Sequence, residues 1–192
     1  LQDLENSFSN IVGLDNVKND IKDLYCFIKV SKERQKRGFK DDPISLHTVF
    51  KGAPGTGKTT MARHIGKLYK ELGVLKKGHV VEVDRSGLVD AYIGHTEVKT
   101  KKKLNEALDG ILFIDEAYAL GNSEKRDSFS KECIDTLCEA LSDHRDELMV
   151  IIAGYTDELD TCFFSYNQGL KSRPTANHYQ TMIQLNYHEN EM

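Results

Sequence analysis

The sequence predicts an α/β fold, a three-layer sandwich in which a parallel sheet lies between two layers of helices. Helix-type and strand-type patterns alternate along the chain, which is the order expected of parallel strands joined by crossover helices. The strand patterns are short, continuous apolar runs, as in strands that are buried on both faces. A glycine-rich loop also follows the first strand and precedes a long helix, which makes a strand–loop–helix unit.

Each element rests on a local pattern of apolar residues. Helical spacing predicts a first helix over residues 14–31, with a charged helix end and loop over 31–42. Further helices are predicted over 60–72, 97–108 and around 134–141. Strands are predicted over 46–50, 79–84, 111–114 and 148–153, and a short strand fits 182–185. The lysine run at 101–103 is interpreted as a solvated helix face.

Composition bounds the class of protein. The chain has 192 residues, of which 39% are hydrophobic and 29% are charged, enough for one domain with a sizeable core. Its net charge of −4 argues against a general nucleic-acid binder. No apolar run approaches the length of a membrane span, and the N-terminus shows no signal-peptide pattern. The cysteines form no C-x-x-C pair, so we expect buried, reduced thiols in a cytoplasmic protein.

Residues 52–59 read GAPGTGKT, which matches the P-loop pattern G-x-x-x-x-G-K-[ST]. Its glycines let main-chain N–H groups approach an anion closely, and the following helix directs its free N–H groups at the same point. This nest suits the phosphates of ATP, so the fold is predicted to be that of a P-loop NTPase. The predicted nucleotide-binding residues of the loop are Pro54, Gly55, Thr56, Gly57, Lys58, Thr59 and Thr60.

Two side chains of the P-loop carry specific chemistry. Lys58 supplies a cation for the β- and γ-phosphates, and Thr59 offers a hydroxyl group to Mg²⁺. The alternative is a glycine turn with a solvated lysine, and the strand–loop–helix context disfavours it.

A second motif follows the predicted strand at 111–114. Asp115 and Glu116 are two carboxylates at the carboxyl end of a buried strand, where open α/β sheets bind their ligands. Asp115 is predicted to hold Mg²⁺ through water, and Glu116 is predicted to polarise the attacking water as a general base. ATP and Mg²⁺ are therefore the expected cofactors.

These motifs support a resemblance to a known family. The chain resembles the AAA+ ATPases, and within them the CbbX/CfxQ (stage V sporulation protein K-like) group. The segments that carry the resemblance are IVGL at 11–14, GAPGTGKT at 52–59, GHVVEV at 78–83, YIGHT at 92–96, IDEAY at 114–118 and IAGY at 152–155. Many ATPases share the P-loop and the Asp-Glu pair, whereas their combination with YIGHT and the later AGY is more specific.

The resemblance implies roles for residues outside these two motifs. Val12 and Gly13 would line the adenine pocket. Tyr92, Ile93 and Gly94 match the aromatic–hydrophobic–glycine pore loop with which AAA+ rings grip a substrate polypeptide. The alternative for this segment is a buried connection between a strand and a helix.

Two further residues are implied to act at the γ-phosphate. Thr156 lies near the polar residue at the end of the fourth strand that helps to place the water, and Tyr155 is the alternative for that position. Arg173 matches the arginine finger that reaches the γ-phosphate of a neighbouring subunit, where a guanidinium suits the charge of the transition state. The alternative for Arg173 is a surface arginine with no role.

The resemblance also implies a division of the chain. Residues 1–173 correspond to an AAA+ ATPase core, the large α/β subdomain. Residues 174–192 form a divergent tail, because 174–177 interrupt the family pattern and the helical lid is absent. A truncated, alternatively spliced or misread C-terminus and a poorly ordered end without function are open alternatives for this tail.

The implied function is Mg-dependent ATP hydrolysis by a homo-oligomer, a ring of identical subunits that remodels a client protein through its pore loops. The alternative is a truncated nucleotide-binding module with little turnover. A clamp-loader-like DNA ATPase is disfavoured by the acidic charge balance, so neither nucleic acid nor a membrane is an expected partner. The sequence does not identify the client.

Overall fold

The computed structural model describes residues 15–39, 47–53, 55–92, 94–121, 128–144, 146–159 and 181–184. The strands are β1 (Thr48–Lys51), β2 (Val80–Val83), β3 (Ile111–Ile114), β4 (Met149–Gly154) and β5 (Thr181–Gln184). The helices are α1 (Asp15–Lys36), α2 (Lys58–Glu71), α3 (Arg85–Leu88), α4 (His95–Ala107), α5 (Ser128–Asp143) and α6 (Thr156–Glu158), with a 3₁₀ helix at Ala117–Leu120. None of the helices in these ranges is both long and apolar enough to cross a membrane.

All of these strands lie in one parallel sheet, in the order β2-β3-β4-β1-β5. The pairing of β1 with β4 sets Lys51 opposite Gly154, and it continues beyond β1 because the Gly52 N–H donates to the Gly154 carbonyl at 3.1 Å. Parallel strands end at the same edge of a sheet. The loops after β1, β3 and β4 therefore meet at this carboxyl edge.

Helices cover both faces of the sheet. One core cluster joins α1 and α2 to the sheet and includes Ile65 and Phe113. The other joins α4 and α5 to the opposite face and includes Leu137 and Leu112. Phe113 and Leu112 are neighbours in β3 and alternate between the faces, as strand geometry requires. The predicted three-layer α/β sandwich with a parallel sheet is confirmed.

Helix α1 continues through charged residues that the sequence assigned to a helix end and loop. It ends at Lys36, and Gly38 follows with φ 84°, a left-handed conformation that stops the helix. Lys32 Nζ donates to the carbonyl oxygens of Leu72 at 2.8 Å and Gly73 at 2.6 Å. Carbonyl groups at the end of a helix lack partners within that helix, so the ammonium satisfies two of them at the end of α2.

The lysine run at 101–103 lies on a solvated part of α4, as the sequence predicted. Lys101 Nζ lies 2.5 Å from Glu97 Oε1, and Lys103 Nζ lies 2.6 Å from Glu106 Oε2. These pairs join residues one helical turn apart, which is a common arrangement on an exposed helix surface.

Cysteine burial differs from the expectation. Cys133 is buried, and this burial raises the pKa of its thiol to about 11. Cys26 is exposed, so the expectation of a buried thiol is wrong at that position. Residue 26 faces away from the core because the core-facing stripe of α1 runs through Ile21 and Ile28 instead.

Strand β5 lies within the segment that the sequence set apart as a divergent tail. It pairs with β1 in parallel, with Thr181 opposite Thr48 and Gln184 opposite Lys51. The short strand predicted near 182–185 is therefore confirmed, and the sheet extends beyond the proposed boundary at 173. As a result β1, which leads into the P-loop, is an interior strand.

Helix α2 and the turn before β2 are in direct backbone contact. Gly66 is buried in α2, and a Cβ atom built there would collide with the carbonyl oxygen of Gly78. A Cβ atom on Gly78 would collide with the carbonyl oxygen of Gly66 in the same way. The two glycines thus allow α2 to lie closer to the turn than side chains would permit.

We expect Gly66→Ala to destabilise the fold by about 1–3 kcal/mol, the usual cost of overpacking a rigid contact. Denaturant unfolding would measure the loss. Lys67→Ala is the control, because this neighbouring residue of α2 is exposed and the change leaves the contact intact. If Gly66→Ala had the same free energy of unfolding as the parent, the backbones at Gly66 and Gly78 could move apart without loss of stability, and the prediction would be wrong.

Candidate active site

A cleft of about 300 Å³ opens at the carboxyl edge of the sheet. One wall is the P-loop and the start of α2, with Gly52, Gly55, Gly57, Lys58, Thr59 and Thr60. A second wall follows β3 and β4, with Asp115, Glu116, Tyr118, Gly154 and Tyr155. The fold therefore brings together the two motifs that the sequence presents 56 positions apart, from Thr59 to Asp115.

The P-loop takes its shape from two glycines in the left-handed region. Gly55 has φ 78° and Gly57 has φ 81°, values that residues with a side chain rarely adopt. Gly57 also occupies the N-cap of α2, where it has no side chain to cover the free N–H groups of the first turn. These N–H groups stay available to an anion in the cleft.

The ammonium group of Lys58 is held inside the loop. Lys58 is only 8% exposed, and its Nζ donates to the carbonyl oxygens of Gly52 at 3.0 Å and Ala53 at 2.8 Å. A solvated lysine, the alternative considered from the sequence, does not describe this arrangement. The cation lies in the hollow of the loop, where it can exchange carbonyl partners for anionic oxygens.

The threonines of the P-loop have different surroundings. Thr56 is buried, and its hydroxyl donates to the Ala53 carbonyl at 2.8 Å, so it can offer an anion only its main-chain N–H. The Thr59 hydroxyl donates to Glu82 Oε1 at 3.2 Å. Thr60 is exposed at the wall of the cleft. Glu82 was not among the predicted site residues.

Asp115 and Glu116 are held by backbone contacts at the end of β3. The Asp115 N–H donates to the Val83 carbonyl at 2.8 Å, and Asp115 Oδ1 accepts the Glu116 N–H at 3.0 Å. Glu116 has φ 48° and ψ 42°, in the left-handed region. A non-glycine residue there costs about 1–3 kcal/mol, and such strain concentrates at functional sites.

Two tyrosines complete the wall that carries the carboxylates. Burial raises the pKa of Tyr118, and the negative charges of Glu116 and Glu158 raise it further. Tyr118 therefore keeps its proton and can donate a hydrogen bond into the cleft. Tyr155 directly follows β4 and is 39% exposed. Tyr118 had no predicted role, although it lies in the IDEAY segment; its position two residues after Glu116 was the signal that could have identified it.

A larger groove between α4 and α5 is a poorer candidate for binding a nucleotide. Its volume is about 780 Å³, and it does not include the P-loop. Several of its lining residues are acidic, namely Glu97, Glu132, Asp135 and Glu139. These carboxylates would repel phosphate groups, whereas the cleft at the P-loop offers N–H groups and an ammonium.

Tyr92 and Gly94 of the proposed pore-loop segment are exposed and are not among the residues that line the cleft. Tyr92 is 70% exposed, and its ring centroid lies 5.7 Å from that of His95. The Tyr92 N–H donates to Asp90 Oδ1 at 3.3 Å, and Gly94 is the N-cap of α4. The alternative of a buried connection does not fit this exposure. A role in gripping a polypeptide stays a prediction.

Several predicted site residues fall outside the described ranges. These are Val12, Gly13, Pro54, Ile93 and Arg173. Thr156 begins α6, but its side chain is not among those described. The roles assigned to these residues stay predictions.

Comparison with protein families gives a match over much of the chain. The family model described as "ATPase family associated with various cellular activities (AAA)" matches residues 48–166. Stage V sporulation protein K of Bacillus subtilis (strain 168) is 48% identical over 173 residues, which cover 90% of this chain and 53% of that protein. Protein CbbX of Cereibacter sphaeroides is 42% identical over 170 residues, which cover 88% of this chain and 55% of that protein.

A solved structure shares the fold. The crystal structure of the FIGL-1 AAA domain in complex with ADP has a TM-score of 0.58 and 21% sequence identity, covering 94% of this chain and 56% of that chain. The chain spans about half the length of the curated relatives it matches.

Proposed function

The chain belongs to the AAA ATPase family, in its CbbX/CfxQ-like group, and from this premise we propose that it binds ATP with Mg²⁺ and hydrolyses it. Family membership supports an ATP-dependent activity in general. The observation that carries the specific proposal is the cleft, which Lys58 and Thr59 line together with Asp115 and Glu116. A single cleft thus has both phosphate-binding groups and carboxylate side chains in its lining, which supports the proposal.

Nucleotide binding would rely on the P-loop wall. The main-chain N–H groups of the loop and of the first turn of α2 would receive the phosphate oxygens. Lys58 Nζ would exchange the Gly52 and Ala53 carbonyls for β- and γ-phosphate oxygens. Val12 and Gly13 are proposed to line the adenine pocket, as the family resemblance implies.

The metal would be held between the two walls. Thr59 supplies a hydroxyl oxygen and Asp115 a carboxylate, and both line the cleft. Hard oxygen ligands with retained waters are what Mg²⁺ prefers, so these residues fit the ion. When bound, Mg²⁺ would supply positive charge that neutralises the negative charge developing on the phosphates during transfer.

Hydrolysis would depend on the carboxylate wall. Glu116 would accept a proton from the water whose oxygen attacks the γ-phosphorus, while the bond to the β-phosphate oxygen breaks and yields ADP and phosphate. Tyr155 or Thr156 would help to place that water. Tyr155 is favoured because its side chain lines the cleft. Arg173 is proposed to act from a neighbouring subunit.

Coupling to a client would use the exposed segment at Tyr92. An aromatic side chain that is 70% exposed offers a large contact that tolerates many polypeptide sequences. We propose that several subunits assemble into a ring and that nucleotide turnover moves these tyrosines against a client protein. The cytoplasm is the proposed location.

We expect Lys58→Ala to weaken ATP binding by about 2–3 kcal/mol, because a charge-assisted contact at a desolvated site is lost. Calorimetric titration with ATP and Mg²⁺ measures the change. Lys67→Ala removes the same charge from an exposed position of the same helix and should bind as the parent does. Equal affinities for Lys58→Ala and the parent would contradict the proposed phosphate site.

A further inference from the structure

We propose that Glu82 is a positioning residue for the metal site, which orients the Thr59 hydroxyl so that its oxygen faces Mg²⁺. The inference rests on the proposed function, because it assumes that Thr59 ligates the metal of a bound nucleotide. It adds a residue from β2, a strand that contributes no lining residue to the cleft.

The contact joins two elements that are remote in sequence. Thr59 Oγ1 donates to Glu82 Oε1 at 3.2 Å, across 23 positions of the chain. Val80 packs in the core cluster on the α2 side of the sheet, and Val83 packs in the cluster on the opposite side. Because side chains alternate along a strand, Glu82 shares the face of Val80 and is directed towards α2.

The second carboxylate oxygen of Glu82 is also held. Arg63 Nη2 lies 3.5 Å from Glu82 Oε2. Arg63 follows Thr59 by four residues, so the two side chains lie on the same side of α2. The carboxylate is thus fixed at both oxygens by one helix, with one oxygen reserved for the hydroxyl.

A purely structural role explains this arrangement less well. The side chains of Arg63 and Glu82 are 60% and 46% exposed, and ion pairs with such exposure contribute little to stability. Thr59, by contrast, is the P-loop threonine whose hydroxyl is proposed to bind the metal. The hydrogen bond from Thr59 to Glu82 is suited to orienting that hydroxyl.

The chemistry of a hydroxyl ligand requires an acceptor. A threonine binds a cation with an oxygen lone pair, so its proton must point away from the ion. A carboxylate that accepts a hydrogen bond from this hydroxyl makes a charge-assisted contact and fixes the rotation of the hydroxyl. Such outer partners orient metal ligands, and their loss typically lowers metal affinity by about 10–100-fold.

The test measures how Mg²⁺ changes the binding of a non-hydrolysable ATP analogue to the full chain. For the parent, calorimetry at increasing Mg²⁺ gives the concentration with half the maximal effect. We expect Glu82→Ala to raise this concentration by about 10–100-fold. Affinity for the analogue in EDTA should stay the same, because the phosphate cradle is untouched.

Matched variants separate orientation from charge. Glu82→Gln removes the charge but keeps an acceptor oxygen, so its metal dependence should lie closer to the parent than to Glu82→Ala. Arg63→Ala leaves the hydrogen bond to Thr59 in place and should have the smaller effect. In a Thr59→Ala background, Glu82→Ala should cause no further change, because the hydroxyl that Glu82 positions is already gone.

Three results would overturn the inference. One is an unchanged Mg²⁺ requirement in Glu82→Ala, and another is an additive effect of Glu82→Ala in the Thr59→Ala background. The third is a Glu82→Gln variant as impaired as Glu82→Ala, which would assign the effect to charge alone. A parent whose nucleotide binding does not respond to Mg²⁺ would instead refute the proposed function, and the inference with it.

Discussion

Glu116→Gln should bind Mg-ATP with nearly the parental affinity and hydrolyse it about 10²–10⁴-fold more slowly, since an amide cannot accept the proton of the attacking water. Glutamine has the same length as glutamate and would meet the same cost in the left-handed backbone region, so the fold should be retained. Steady-state phosphate release measures turnover, and calorimetry measures binding on the same samples.

Two controls make the result specific to the base. Glu139→Gln makes the same chemical change at an exposed site in the groove between α4 and α5 and should leave turnover unchanged. Asp115→Asn should instead raise the Mg²⁺ requirement. Parental turnover in Glu116→Gln would assign the base to another group, and a parent that binds ATP without turnover would support the nucleotide-binding module.

Arg173→Ala should leave ATP binding intact and reduce turnover by about 10³–10⁵-fold, the contribution of a residue that stabilises transition-state charge across a subunit interface. Arg173 lies outside the described residues, so this expectation rests on its place in the sequence. Steady-state phosphate release, together with the particle mass in the presence and absence of ATP, measures turnover and assembly.

Mixing subunits tests whether the arginine acts on a neighbour. In a mixture of Arg173→Ala and Glu116→Gln, an intact Glu116 site can lie beside an intact Arg173, so some activity should return. Lys171→Ala, two positions away, is the control for loss of a nearby positive charge. A parent that turns over ATP as a monomer at every concentration would exclude a finger in trans, and inactive mixtures of assembled chains would also contradict it.

The sequence predicted most of the fold because its elements depend on local patterns. The apolar runs that became β3 and β4 are buried along their whole length, and the predicted apolar face of α2 faces the core through Met61 and Ile65. Helix α1 ends at Lys36, within the stretch 31–42 in which a helix end and a loop were predicted. The contacts of Lys32 could not be predicted, because this side chain looks solvated from its neighbours in sequence. Its partners are carbonyl groups about 40 residues away, at the end of another helix.

The parts of the candidate site that could be predicted are those whose residues lie close together in the sequence and form a recognisable motif. The P-loop and the Asp115–Glu116 pair are contiguous motifs, and the sheet edge brings them to one cleft. Glu82 could not be found in this way, because its contact with Thr59 depends on which face of β2 is turned to α2. The inward position of the Lys58 ammonium likewise depends on carbonyl groups whose direction the backbone sets.

The pairing of β5 with β1 has a consequence for divergence within the family. A strand is held in a sheet by hydrogen bonds between main-chain groups. The amino-acid sequence of β5 can therefore change while these hydrogen bonds are retained. A chain cut at residue 173 would lose this partner and expose a row of unpaired N–H and C=O groups along β1, beside the P-loop. Exposed edges of this kind invite aggregation. The segment that was predicted to be a divergent tail thus covers the edge of the strand that leads into the P-loop.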